Sequence, residues 1–303
     1  MELSIRNDLK NVVGDRLPLV ALESTVIATG LPAPYNLQAA WQCEEVIKSQ
    51  AAEPATVAII DGVAKIGCSQ EEIVALASRD DVIKTNLSNL GAVVARKQWG
   101  ATTVSTTMHI ASRAGIEVFS TGGIGGVHRG AEQSFDLSSD LMALARYPMV
   151  VVSAGAKSIL DLPKTVELLE TLGVPVIGYC TDQFPAFHSR SSGIGLDLVS
   201  ESANEIAAIA TTHWLAGFST AILVVAAVPQ EYEIAAEEIE QMYRKAEIEA
   251  KEQGITGKKV TPYLLSKLET FSSSRTVLTN VELLKNNARV AAEIAVELAK
   301  RKR

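Results

Sequence analysis

The sequence predicts an α/β fold: three layers, α/β/α, around a central mixed sheet, with a helical part at the C-terminal end. Two observations carry this reading. Short apolar runs rich in β-branched residues recur between amphipathic stretches, and the last third of the chain turns mostly helical. At 303 residues the chain is long for one domain, but large α/β domains reach this size, and no linker, internal repeat or low-complexity segment divides it. The reading is therefore a single domain over residues 1–303.

The strand candidates are Leu19 to Leu22, Val57 to Ile60, Val118 to Ser120, Val150 to Ser153, Val174 to Tyr179 and Ala221 to Val228. Helices fit between them. Leu37 to Gln50 follows Asn36 as a cap, and Ser69-x-x-Glu72 reads as a capping box ahead of Ile73, Val74 and Leu76. Pro163 suits the first turn of a helix that runs through Lys164 to Leu172 and is closed by Gly173. Further on, Glu231 to Gln253 is long and charged. Behind Asn280, residues Val281, Leu284, Ala288, Ala291, Ala295 and Leu298 draw an apolar stripe at helical spacing.

Composition excludes several classes. With 47% apolar and 21% charged residues the chain is that of a packed globular protein, and Ala221 to Val228, its longest apolar run, is too short to cross a bilayer. No basic stretch followed by an apolar segment opens the chain, so the reading is a cytosolic protein without a secretory signal. A net charge of −7 argues against a nucleic-acid surface, which needs a basic stripe, and the run Lys300 to Arg303 reads as a solvated helix tail. An anionic small molecule must then meet a local positive site. Cys43, Cys68 and Cys180 are widely spaced and read as buried free thiols.

Polar residues at the ends of apolar strands are the first candidates for chemistry, because open α/β sheets bind ligands at their carboxyl edge. Glu23-Ser24-Thr25 offers a carboxylate for acid–base work, or merely a salt-bridged or capping residue. The turn Ser120 to His128, with Gly122, Gly123, Gly125 and Gly126, could bring bare backbone N–H groups to an anion, or be an ordinary tight turn. It is no dinucleotide fingerprint, since the third position is His128. Asp136 to Asp140 offers hard oxygen ligands and hydroxyls beside a helix start at Ser138 or Ser139; it could hold a water-rich Mg2+ or Mn2+ through one carboxylate, or only cap the helix. In Ser153 to Ser158 a strand ends in small residues and presents Lys157, which is either an imine-forming nucleophile or a surface lysine.

In this order these segments resemble the pseudouridine-5'-phosphate glycosidase family, also described as indigoidine synthase A-like. The likeness runs from about Ala21 to Leu298 and rests on Glu23-Ser24-Thr25, Thr121 to Ala131, Phe135-Asp136, Ala154 to Asp161, Thr261-Pro262 and Asn286-Asn287-Ala288. The resemblance implies reversible cleavage of the carbon–carbon glycosidic bond of pseudouridine 5'-phosphate to uracil and ribose 5-phosphate, with one Mn2+ per subunit and a homotrimer. It implies Lys157 as imine-forming nucleophile, Glu23 as proton donor and Asp136 as metal ligand. Lys84, Val104 and Ser138-Ser139-Asp140 would line the substrate site, with Thr121, His128 and Asn280 around the sugar phosphate. The chain departs from the family pattern at Thr29 and Thr85 to Leu87, which bear on the nucleobase, and at Ser272 to Ser274 and Ala226 to Pro229. The alternatives are a related C-glycosynthase joining ribose 5-phosphate to another aromatic ring, and a sugar-phosphate binding protein without catalysis.

Overall fold

The computed structural model describes residues 1–15, 17–255 and 260–301, with only the backbone at residues 261 and 262. The side chains of Thr261 and Pro262, and the last two residues of the basic run, lie outside the described part.

Among the described residues the strands are β1 Leu3–Ile5, β2 Leu19–Leu22, β3 Glu53–Ile60, β4 Val63–Ile66, β5 Ile83–Thr85, β6 Gly100–Thr102, β7 Val118–Ser120, β8 Val150–Ser153, β9 Val176–Tyr179, β10 Leu198–Ser200 and β11 Ile222–Ala226. They form one sheet in the order β1-β4-β3-β2-β7-β8-β11-β9-β10, with β6 on β3 and β5 on β6. From β2 through β10 every pairing is parallel. The sheet becomes mixed at β3, whose first half pairs in parallel with β2 and whose second half pairs antiparallel with β4 and β6. Asp61-Gly62 makes that switch. Both residues have positive φ, 50° and 79°, as a two-residue hairpin turn requires, so β4 folds straight back on β3.

Alternate side chains of the parallel strands enter two separate cores, as the period of two demands. Leu19 and Ala21 of β2, Phe119 of β7, Val151 of β8 and Leu223 and Val225 of β11 face one cluster, with Met108, Leu169 and Ile239. Val20, Leu22, Val118, Val150, Val152, Ile222 and Val224 face the other, with Ile47, Ile206 and Leu284. Helices Tyr35–Ser49, Ala203–Leu215 and Arg275–Lys300 cover this second face, and Val104–Arg113, Leu162–Thr171, Ala236–Glu252 and Val260–Phe271 contribute to the first. The three-layer expectation holds.

Local expectations fare unevenly. The Ser69–Glu72 capping box is present in full, and Pro163 sits in the first turn of Leu162–Thr171 behind the cap Asp161. Asn36 is not a cap. Helix Tyr35–Ser49 starts before it, and its buried Nδ2 donates to Ile27 O at 3.0 Å, clamping the π-helical turn Val26–Gly30. Nor does Asn280 open the last helix, which already begins at Arg275. Cys43 and Cys68 are buried, but Cys180 is exposed, since it leaves β9 in a left-handed turn with φ 54°.

Candidate active site

The carboxyl edge of the sheet brings together three of the predicted residues, Glu23 after β2, Thr121 after β7 and Lys157 after β8. Glu23 follows β2 and is fixed by two hydroxyls: Thr121 Oγ1 donates to Oε1 and Thr25 Oγ1 to Oε2. Thr121 is itself buried, following β7, and its N–H donates to Val152 O of β8 at 3.0 Å. The carboxylate thus has a set position without any cation bonded to it among the described residues.

Lys157 follows β8 through a turn stitched to the glycine-rich segment. Ala154 N donates to Gly122 O at 2.9 Å, Ile124 N to Gly155 O at 3.0 Å, and Lys157 N to Ile124 O at 3.1 Å. Gly155 has φ 76°, and a Cβ there would collide with Pro185 O, so only glycine makes this turn. The small residues therefore shape the backbone that presents Lys157.

Lys84 lies in β5, in register with Ala101 of β6, and Thr103 N reaches back to Thr85 O at 3.0 Å. That tie sets buried Val104, first residue of helix Val104–Arg113, beside the Lys84 strand. Although the Lys84 side chain reaches solvent, its surroundings hold its ammonium below the ordinary lysine range. Desolvation is the largest cause and the charge of Lys157 the next, while Glu23 and Asp140 pull the other way. Lys84 thus feels the charges of Lys157, Glu23 and Asp140.

The glycine-rich turn differs from the expected anion cradle. Gly125 N donates to Asp140 Oδ2 at 2.9 Å, Val127 N to Thr165 Oγ1 at 3.0 Å and His128 N to Asp136 O at 3.1 Å, so much of its N–H supply is spent internally. Its glycines answer to packing. A Cβ on Gly123 would stand 2.5 Å from the Phe187 ring, one on Gly125 2.8 Å from Asp140 Oδ2, and one on Gly126 against Thr165. Asp140 likewise has a structural job, because its second oxygen accepts Ser105 N at 3.0 Å, locking helix Val104–Arg113 to the turn. Ser138 caps the helix Ser139–Leu144 by accepting Asp140 N at 3.2 Å, and Ser139 Oγ meets Ser105 Oγ at 2.9 Å.

Asp136 is exposed, and its Oδ2 lies 3.9 Å from His128 Nδ1. Burial holds the imidazole of His128 below its ordinary range; Asp136 opposes this, and Lys157 and Lys84 add to it. Among the described residues no three His, Cys, Asp or Glu side chains cluster as a metal cage. The donor set fits a hard, water-rich divalent cation held by one carboxylate, and not a closed zinc site.

Asn280 stands apart. It is half-buried in helix Arg275–Lys300 and makes no hydrogen bond to the other site residues. Two turns on, Asn287 does what position 280 does not: its Nδ2 donates to Thr121 O at 2.8 Å and to Gly122 O at 3.3 Å. Its signal was a lone polar residue within the apolar stripe. His188, unremarked in the sequence, is buried against Ser158 Oγ at 3.3 Å, and desolvation pushes its imidazole down to about 3. A cavity of about 400 Å³ beside Ser158 is lined by Arg129, Asp161, Ser189 and Ile239 among others, and by none of the predicted residues.

The chain resembles known proteins along nearly its whole length. Residues 8–297 match the family model described as indigoidine synthase A like protein. It is 46% identical to the pseudouridine-5'-phosphate glycosidase of Caldanaerobacter subterraneus subsp. tengcongensis, with 98% of this chain and 97% of that protein covered. It is 47% identical to the protein of the same name from Geobacillus kaustophilus, covering 98% and 99%. Among solved structures it superposes on the prealnumycin C-glycosynthase AlnA, in complex with ribulose 5-phosphate, with TM-score 0.93 and 34% identity over 100% of this chain and 98% of that one. An indigoidine synthase A-like protein from Thermotoga maritima superposes with TM-score 0.90 and 36% identity, over 99% and 97%. The chain belongs to the indigoidine synthase A like protein family.

Proposed function

We propose that this chain is a pseudouridine-5'-phosphate glycosidase, which reversibly cleaves pseudouridine 5'-phosphate to uracil and ribose 5-phosphate through an imine on Lys157. The observation that carries the reading is the convergence of an amine, Lys157, and a doubly anchored carboxylate, Glu23, at the carboxyl edge of one sheet. Full-length relatives of that name at 46% and 47% identity support it.

A carbon-linked base leaves no heteroatom on the anomeric carbon beyond the ring oxygen, so the two-carboxylate route of ordinary glycosidases is poorly suited. An amine provides another. Lys157 Nζ attacks the anomeric carbon, the bond to the ring oxygen breaks, and that oxygen leaves with a proton. The nitrogen lone pair then expels the base as the carbon–carbon bond breaks, and Glu23 delivers the proton that the base carbon takes up. Water hydrolyses the imine, releasing ribose 5-phosphate and the free amine.

Lys84, with Val104 beside it, is the positive element for the phosphate, since the N–H groups of Gly125, Val127 and His128 in the glycine-rich turn already have acceptors within the protein. Ser138, Ser139 and Asp140 fix the wall next to it, and Thr121, His128 and Asn280 border the sugar phosphate in this reading. Asp136 would hold one Mn2+ per subunit, which when bound supplies charge to polarise substrate oxygens. We further infer one domain over residues 1–303 and a cytosolic homotrimer. No described helix is long and apolar enough to cross a membrane.

The likeness to AlnA favours a second reading, a C-glycosynthase joining ribose 5-phosphate to another ring. Protein incubated with Mn2+, ribose 5-phosphate and uracil separates the two. The proposal expects pseudouridine 5'-phosphate by mass spectrometry. Product only with a different aromatic ring favours the synthase, and ribose 5-phosphate binding without any product favours a silent sugar-phosphate binder.

A further inference from the structure

We infer that Asn287 is a positioning residue for the proton-donor carboxylate, acting on Glu23 through Thr121; this rests on the function proposed above. Helix Arg275–Lys300 packs an apolar face on the sheet, with Leu283, Leu284, Ala288, Val290 and Ala291 all buried. Asn287 interrupts that face and is 0% exposed. Its amide can meet two carbonyl oxygens only with its nitrogen, so the bonds to Thr121 O at 2.8 Å and Gly122 O at 3.3 Å fix its orientation. The other end, Oδ1, is buried with no hydrogen-bond partner among the described residues. An unmet buried acceptor weakens the fold, so packing alone would favour an apolar residue here.

What this arrangement does provide is a fixed backbone at a junction. Thr121 carries the hydroxyl that donates to Glu23 Oε1, and Gly122 O also accepts Ala154 N from the strand end that leads to Lys157. Helix, Glu23 anchor and nucleophile turn meet at two consecutive peptide units. Asn287 holds the Thr121 peptide so that its hydroxyl pins the carboxylate, and it touches no reacting atom itself.

The test uses Asn287→Asp, which has the same shape but as a carboxylate cannot donate. Burial against two carbonyl oxygens raises the pKa of this carboxyl, so at alkaline pH, where it is ionised, kcat should fall by on the order of 100-fold, the scale of a misplaced general acid, with KM nearly unchanged. As pH falls the buried carboxyl takes up a proton, donates again, and kcat should recover relative to wild type. Borohydride capture of ribose 5-phosphate on Lys157 should stay at the wild-type level throughout. Thr121→Val should lower kcat similarly, and the double variant should be no worse than the poorer single one. If Asn287→Asp does not fold at alkaline pH, Asn287→Ser is read by the same capture assay and the same cycle with Thr121→Val. Near-normal kcat at alkaline pH, additive losses, or capture that falls as far as kcat would overturn the inference while wild-type turnover leaves the glycosidase reading intact. Absence of both turnover and capture in wild type would instead overturn that reading, and this one with it.

Discussion

Asp140 accepts the backbone N–H of Gly125 through Oδ2 at 2.9 Å, while its other oxygen accepts Ser105 N at 3.0 Å. One buried carboxylate thereby joins the glycine-rich turn to the helix behind Val104. In Asp140→Ala both N–H groups lose their acceptor, which costs about 1–3 kcal/mol each. Denaturant unfolding should show a loss of that size, and Asp140→Asn, which keeps one acceptor, a smaller one.

Gly125→Ala should be destabilising for a different reason. Its Cβ would collide with Ser138 Oγ and stand 2.7 Å from Ser138 Cβ and 2.8 Å from Asp140 Oδ2. Overpacking of this kind costs about 1–3 kcal/mol. Thermal melting beside Gly130→Ala checks the cause, because Gly130 has no atom within 4 Å of its would-be Cβ and strains only its φ of 78°. A Gly125→Ala variant as stable as wild type would remove the packing explanation for this turn.

Stability should depend on pH through His188, whose imidazole is held down at about 3 by burial. Below pH 6.5 the unfolded chain binds a proton that the folded chain refuses, so its contribution is complete above 6.5 and is lost progressively down to pH 3. The loss at the low end is on the order of 5 kcal/mol for this one group. His188→Gln should flatten the slope of unfolding free energy between pH 6 and pH 4; an unchanged slope would show that other groups dominate it.

Removing the divalent metal should abolish turnover, and Mn2+ should restore it. Asp136→Ala should not respond to Mn2+ at all. Full activity in EDTA-treated protein, or an unchanged rate in Asp136→Ala, would contradict the reading of Asp136.

Phosphate recognition should depend on Lys84. Losing one charge-assisted hydrogen bond costs about 1.5–3 kcal/mol, so Lys84→Gln should lower kcat/KM for pseudouridine 5'-phosphate by roughly 10- to 100-fold. Unphosphorylated pseudouridine should be a very poor substrate for wild type, and the variant should discriminate less between the two. Equal efficiency on both substrates in wild type would refute an anion site at Lys84.

The parallel centre of the sheet was legible because β2, β7, β8 and β11 are buried on both faces and so read as unbroken apolar runs. Strands β1, β5, β6 and β10 were missed, being three residues each, too short for a period to show, and lacking the fully buried apolar run that marks the equally short β7. The hairpin into β4 did carry a signal, Asp61-Gly62, that the apolar pattern alone passes over. At the site, Glu23 and Lys157 stood out as polar residues just after apolar strands, and Asp136 as part of an oxygen-rich segment beside a helix start. Asn287 was named only within a run carrying the family likeness and His188 not at all, because their roles come from contacts 166 and 30 residues away in sequence. The glycine-rich turn was legible only in part for a related reason: sequence shows that a backbone is bare, but not that Asp140 and Thr165 already occupy the N–H groups of Gly125 and Val127.

The central claim is that Lys157 forms an imine with the sugar. Borohydride added during turnover should reduce it to a stable amine, leaving a ribose 5-phosphate adduct on the peptide that contains Lys157, and Lys157→Arg should bind ribose 5-phosphate yet neither trap nor turn over. An adduct on Lys84 instead, or near-normal turnover in Lys157→Arg, would contradict the account.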